Sequence, residues 1–348
     1  MYKKFVRFSM LAVAVLLLSC QGRQSGPGVP VFSLQHELLL GDDYLIGRSK
    51  GMALLDDSVP CIITKVSDGA FQWLDYPHSR VVPFGRLGQG PNECLFPSSL
   101  HPEGASVGFW DVNRRRYAAY DAGALDESAK LAPRFTVTDS LFHFEVYPLS
   151  DRTYIAAGLY EDFRLARLDA SGRFLEGIDE CPYRDAEERA VSGLIRSDIY
   201  QGRLAVSPSG DRVVHASLRA DVLAFYRLSR EGSVRRTAQC IGSYPSYSYN
   251  NVAMPKNAPV HYLDVSADDR RVYVLYSGRN YEADKEKAFA GDGVHVYDWE
   301  GKLLYRLRLD VDIESLCVTF RGDRLYAIAL LPNPVLVTFL LPEVPDGR

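Results

Sequence analysis

Three stretches of this sequence carry residue types and spacings suited to chemistry. Cys20 follows Leu17-Leu18-Ser19 at the end of an apolar run, where a thiol is open to acylation. Gly85-Arg86-Leu87-Gly88-Gln89-Gly90-Pro91-Asn92-Glu93 suggests a phosphate-cradling loop, yet it lacks the G-x-x-x-x-G-K-[ST] spacing and opens no helix. As a connection, Gly88 and Gly90 permit positive φ and Pro91 sets the turn. As a site, Arg86, Gln89, Asn92 and Glu93 face a central channel and form part of a polar pocket. Residues 243–251 set Tyr244, Tyr247 and Tyr249 among serines and asparagines. Tyrosine pairs a flat apolar face with a hydroxyl, which suits sugars or peptides; the plainer reading packs these rings on the protein's own surface. Arg279, Asn280 and Tyr281 begin a further insertion that would line the same rim.

Catalytic patterns are missing from the chain. Its seven histidines (His36, His78, His101, His143, His215, His261, His295) show no H-E-x-x-H or H-x-H spacing. There is no G-x-S-x-G elbow and no D-x-D-x-D-G loop. The acidic pairs Asp42-Asp43, Asp56-Asp57 and Asp268-Asp269 lie at turns, where carboxylates cap backbone N–H groups. Beyond Cys20, the five cysteines Cys61, Cys94, Cys181, Cys240 and Cys317 form no C-x-x-C and read mainly as buried free thiols. The expectation is a non-enzymatic protein with no cofactor and no metal site. A propeller assembling distant residues at its channel is the route by which catalysis would escape a sequence reading.

Lys3, Lys4 and Arg7 precede an apolar segment of residues 8–18, too short to span the ~30 Å of hydrocarbon that takes about 20 residues. With Cys20 at its end, the segment resembles a bacterial lipoprotein signal cut just before that cysteine. Lipid on Cys20 would make the anchor effectively permanent, at ~0.8 kcal/mol per buried methylene. Residues 1–19 are thus expected to be a signal peptide and residues 20–30, rich in Gly and Pro, a flexible tether. Loss of the signal moves the formal charge from −4 to −7, which disfavours nucleic acid as a partner.

From residue 31 to 348 the chain reads as short apolar runs rich in Val, Leu, Tyr and Phe, broken by Gly, Asp, Ser and Pro, which is an all-β pattern. Helical turns are expected only near residues 183–199 and 282–290. The segments beginning at Arg152, Arg212, Arg271 and Arg324 repeat one element, a polar turn then an apolar strand, at spacings of 60, 59 and 53 residues. A second element ending at Gly172, Gly232 and Gly301 repeats with it. Units of 50–60 residues that cannot bury both faces alone form a ring, which predicts a six-bladed β-propeller. Blades are expected near residues 41–84, 95–138, 141–180, 200–240, 260–310 and 312–342. Residues 32–40 should complete the last blade and hide two sheet edges.

The loop at residues 85–93, Leu275-Tyr276-Ser277-Gly278-Arg279 and the stretch at residues 294–301 resemble bacterial TolB-like six-bladed propeller lipoproteins. Cys94 departs from that pattern, standing where an aromatic residue is expected. The resemblance implies a lipid-anchored propeller of the Gram-negative envelope. The reading is therefore a non-enzymatic module that binds a glycan, a peptide or an envelope protein. Its anchor would lie in the outer membrane, facing the periplasm, because no acidic cluster follows Cys20. A glycan-active hydrolase or lyase, or a structural subunit of an envelope complex, are the rival readings.

Overall fold

The repeated turn is where sequence first becomes geometry. Gly172, Gly232 and Gly301 adopt φ of +80°, +78° and +83°, a region that costs a residue with a Cβ but not glycine. Each donates its N–H to the carbonyl three residues earlier, at Asp169, Ser229 and Asp298, and so closes the hairpin between the third and fourth strands of its blade. The computed structural model describes residues 28–66, 69–126, 128–245 and 257–344.

The described strands form six antiparallel blades. Blade 1 comprises Gly51–Leu55, Val59–Val66, Gly69–Asp75 and Arg80–Leu87. Blade 2 holds Pro97–Glu103, Ser106–Asp111, Arg116–Asp121 and Ala132–Thr136. Blade 3 holds Phe142–Pro148, Tyr154–Leu159, Leu165–Leu168 and Phe174–Ile178. Blade 4 holds Gly202–Val206, Arg212–Ser217, Asp221–Leu228 and Val234–Ser243. Blade 5 is Tyr262–Ala267, Arg271–Tyr276, Gly291–Asp298 and the first half of the long strand Leu303–Val318. The second half of that strand is the innermost strand of blade 6, followed by Arg324–Leu330 and Pro334–Leu340. The short helices Ala186–Arg189, Gly193–Ile199 and Tyr281–Asp284 lie in the inserts where helical turns were expected.

Hydrophobic packing closes the ring. Six buried clusters each join one consecutive pair of blades, from Phe71, Phe84, Phe109 and Tyr120 between blades 1 and 2 to Leu54, Ile62, Tyr326 and Ile328 between blades 6 and 1. Successive residues serve opposite neighbours: in blade 4, Val213 packs toward blade 3 and Val214 toward blade 5. The inner strands of a blade are covered on both faces, so they read as unbroken apolar runs rather than alternating ones, while outermost strands such as Ala132–Thr136 and Val234–Ser243 are largely exposed.

The N-terminal segment divides between two blades. Glu37–Leu40 adds antiparallel to Pro334–Leu340 and completes blade 6. Val31–Leu34 instead pairs parallel with Arg306 to Leu309 on the outer edge of blade 5. His36 pins the step between them, its backbone N–H and ring Nδ1 meeting the Asp310 carboxylate at 3.1 and 3.0 Å. Within the closing strand, Leu40 is 1% exposed and Leu38 is 54% exposed. Leu40→Ala should lower stability by about 2–4 kcal/mol, and Leu38→Ala should stay within about 0.5 kcal/mol. Urea unfolding of the two variants checks this.

Candidate functional site

An innermost propeller strand has no sheet partner on the axis, so its inward backbone groups need partners from elsewhere. Side chains of the preceding blade supply them. Val146 N–H donates to Ser99 Oγ at 2.9 Å, and Leu204 N–H to Glu145 Oε2 at 2.7 Å. Leu316 N–H donates to Asp264 Oδ2 and Val318 N–H to Ser266 Oγ, each at 3.0 Å. At the closure of the ring, Ser49 N–H donates to Glu314 Oε1.

Arg203 lies at the centre of this layer. Its Nη1 donates to Glu145 Oε1 at 3.0 Å, and its Nη2 crosses the axis to the Lys50 carbonyl, just ahead of blade 1, at 3.0 Å. Burial pushes Glu145 above the ordinary carboxylate range against the pull of Arg203. Burial likewise pushes Asp264 up to about 6. Burial also opposes the charge on Arg203, but Glu145 and Asp264 outweigh it and hold the guanidinium protonated.

The hairpin hydrogen bonds reveal the register of this layer. Leu149, Ser207, Asp268 and Thr319 each donate their N–H across the first hairpin of their blade, to the carbonyls of Thr153, Arg212, Arg271 and Arg324. Four residues before these donors stand Glu145, Arg203, Asp264 and Ser315; two residues before them stand Tyr147, Ala205, Ser266 and Cys317. The first set makes the polar layer and the second lines a cavity of about 500 Å³ beneath it.

The cavity opens on the face that carries the first hairpin of each blade, at Asp56, Gly104, Ser150 and residues 207–210. Its wall mixes apolar side chains, Met52, Leu100, Leu149, Val206 and Val265, with the serines Ser150, Ser207, Ser209 and Ser266, and half-exposed Phe320 stands at the mouth. Burial drives the Tyr147 phenol well above its ordinary pKa and pushes the Cys317 thiol up to about 12, so both are neutral at pH 7. His101 is spent between the Ser99 carbonyl at 2.7 Å and the Tyr117 hydroxyl at 2.6 Å, and burial lowers its pKa. The arrangement offers hydroxyl and thiol hydrogen bonds beside apolar side chains, with one carboxylate, Asp56, in the lining. Among the described residues no group of three or more His, Cys, Asp or Glu side chains is arranged to hold a metal ion.

The rim expected from sequence lies elsewhere. Connections from second to third strand, and from blade to blade, run on the face opposite the cavity mouth. Arg86, Gln89, Asn92 and Glu93 belong to such a connection, in the seam between blades 1 and 2, and none lines the cavity. Positive φ falls at Gly85, not at Gly88 or Gly90. The Glu93 carboxylate sits close over Gly88 and accepts the Gly90 N–H at 2.6 Å, so a Cβ at residue 88 would displace it. Arg114 Nη2 holds the carbonyls of Gly88 and Gly90 at 3.1 Å, and Arg116 Nη2 holds that of Glu93 at 2.7 Å. Arg279, in the blade 5 insert, is tied to Asp312 by bonds of 2.9 and 2.6 Å, and Tyr281 stands exposed beside it. Arg279 and Tyr281 therefore belong to blade 5, and the glycine loop to the connection from blade 1 to blade 2. Tyr247, Tyr249 and Cys20 lie outside the described residues. The remaining five cysteines are free thiols, and Cys94 is buried where the aromatic residue was expected.

The TolB-like 6-blade propeller-like family pattern matches residues 50–320. The chain belongs to this family. Family membership accounts for the blade count and ring closure described above. Among solved structures, a candidate gluconolactonase is similar at 13% identity and a TM-score of 0.51, covering 88% of this chain and 92% of that one. Hydrazine synthase of Kuenenia stuttgartiensis is 14% identical with a TM-score of 0.49, covering 94% and 99%. A candidate exported protein of Bacteroides fragilis is 12% identical with a TM-score of 0.47, covering 91% and 100%. No curated protein matches the chain by sequence. At these identities the likeness is one of fold.

Arg203 and Glu145 should behave as one unit. Arg203→Met leaves the buried Glu145 carboxylate without its cation and should cost about 3–5 kcal/mol. The double variant Arg203→Met/Glu145→Gln should recover a large part of that loss, because Gln still accepts the Leu204 N–H. A double-mutant cycle by urea unfolding measures the coupling.

Proposed function

We propose that this protein is a lipid-anchored envelope propeller that binds a small, largely apolar, uncharged ligand in its axial cavity without transforming it. The observation that carries this reading is the chamber of about 500 Å³ on the propeller axis, two residues along each inner strand from the Glu145–Arg203–Asp264 layer. That volume falls within the range of ligand pockets, which are apolar with a few placed polar groups. The Tyr147 hydroxyl and the Ser266–Cys317 pair, 3.7 Å apart, are polar groups within it, and Ser150, Ser207 and Ser209 add hydroxyls toward the mouth. Asp56 at the mouth is the only carboxylate among the described lining residues.

Catalysis is less well supported by the same atoms. Glycoside cleavage calls for two carboxylates free to exchange protons. Glu145 is engaged by Arg203 and the Leu204 N–H, and Asp264 by the N–H groups of Val265 and Leu316. Cys317 as a protonated thiol is a poor nucleophile. Export and anchoring rest on the cationic and apolar leader ending at Cys20.

The neutral fluorophore N-phenyl-1-naphthylamine is a suitable probe of the chamber. It should bind saturably at one site per chain, and Ala205→Phe, which fills the chamber, should weaken binding at least tenfold without altering the circular dichroism spectrum. Equal binding by the variant would exclude the chamber as the site. For the anchor, cells fed labelled palmitate should incorporate label into the native chain and not into Cys20→Ser. Protease added to intact cells should leave the domain uncut if it faces the periplasm.

A further inference from the structure

Five arginines of the described chain are more than nine-tenths buried: Arg116, Arg164, Arg167, Arg196 and Arg271. Arg116 faces Asp111, Arg167 faces Asp151 and Glu176, and Arg196 faces Glu180, each within 4 Å. Arg164, only 4% exposed, has no carboxylate within that distance among the described residues. Its Nη2 donates to His215 Nδ1 at 2.8 Å and more weakly to Ser217 Oγ at 3.4 Å, while Nη1 and Nε find no acceptor among the described residues.

Arg164 borders a small chamber in the seam between blades 3 and 4, with Ala157, Cys181, Ser197, Tyr200 and His215. Its volume is about 10 Å³, room for one particle the size of a water molecule. None of the side chains around it supplies negative charge. His215 accepts through Nδ1 and is neutral, since burial and the Arg164 charge hold its pKa well below the ordinary value. Burial raises the pKa of Cys181, which is a thiol. Asp179, whose carbonyl accepts the Arg164 backbone N–H, turns its carboxylate to Arg236 at 2.8 Å and Tyr226 at 3.0 Å.

A buried cation without a partner is strongly unfavourable, and a charged acceptor relieves it more than a neutral one. We propose that Arg164 Nη1 holds a single monovalent anion of chloride size, which bridges the seam between blades 3 and 4. The size of the chamber selects a monatomic ion over a carboxylate or phosphate.

Thermal unfolding of the native protein in chloride or bromide, against gluconate at equal ionic strength, tests this directly. Between roughly 1 and 100 mM halide the midpoint should rise by about 2 °C or more above the gluconate series. The halide-specific rise should vanish in Arg164→Met, and crystals grown in bromide should show an anomalous peak beside Arg164. Should the variant fail to fold, the native halide series and the bromide map decide. Coincident halide and gluconate curves with no peak would mean that a water occupies the chamber, and would overturn the proposal.

Discussion

Six strands meet at the axis of this ring, and each presents an open edge that no other strand can cover. An unsatisfied buried backbone group costs about 1–3 kcal/mol, so the five edge bonds made by Ser99, Glu145, Asp264, Ser266 and Glu314 together rival the ~5–15 kcal/mol stability of a whole domain. Acceptors on the axis are therefore required, and three of them are buried carboxylates: Glu314 is paired with Arg48, while Glu145 and Asp264 share the charge of Arg203. The reach of Arg203 from Glu145 to the Lys50 carbonyl ties blades 3 and 4 to the start of blade 1 at that level. The polar layer and the chamber beneath it are two results of one constraint.

Away from the axis the blades are joined mainly by apolar packing. Six clusters tie each blade to the next around the whole ring, with hydrogen bonds across the seams such as that from Trp110 Nε1–H to the His143 carbonyl at 3.0 Å. Such a ring is only as sound as its last seam, and there the chain uses its own N-terminus. Leu40 enters the cluster with Ile328 and Leu336, while Val31–Leu34 covers the neighbouring edge of blade 5. The segment that follows Cys20 in sequence thus reaches the domain at its outer wall, away from the axial chamber.

The two faces of the ring differ in character. One carries the long inserts, including the glycine loop gripped by Arg114 and Arg116, and Arg279 locked to Asp312. The other carries short hairpins around the chamber mouth, with Phe320 at its lip. Of the residues that look reactive in the linear chain, Glu93 and Arg279 are engaged in holding the first face together. The chamber on the second is built from residues with no individual signature.

The sequence by itself determined the propeller, because the repeat spacing and turn glycines are local: Gly172, Gly232 and Gly301 need positive φ wherever they sit, and apolar runs of fixed period must be buried. The site was not legible in this way. Glu145 and Asp264 stand seven residues before the repeat arginines Arg152 and Arg271, but Arg203 and Ser315 stand nine before Arg212 and Arg324. The first hairpins differ in length, and Arg152 falls one residue short of the register held by Thr153. A constant offset therefore never aligns the four, and only strand pairing brings them to one level of the axis. The same holds for Arg164, whose want of a counter-charge arises from what blade 4 sets against it. Local geometry travels with the chain; which side chains face one another across a seam is decided when the ring closes.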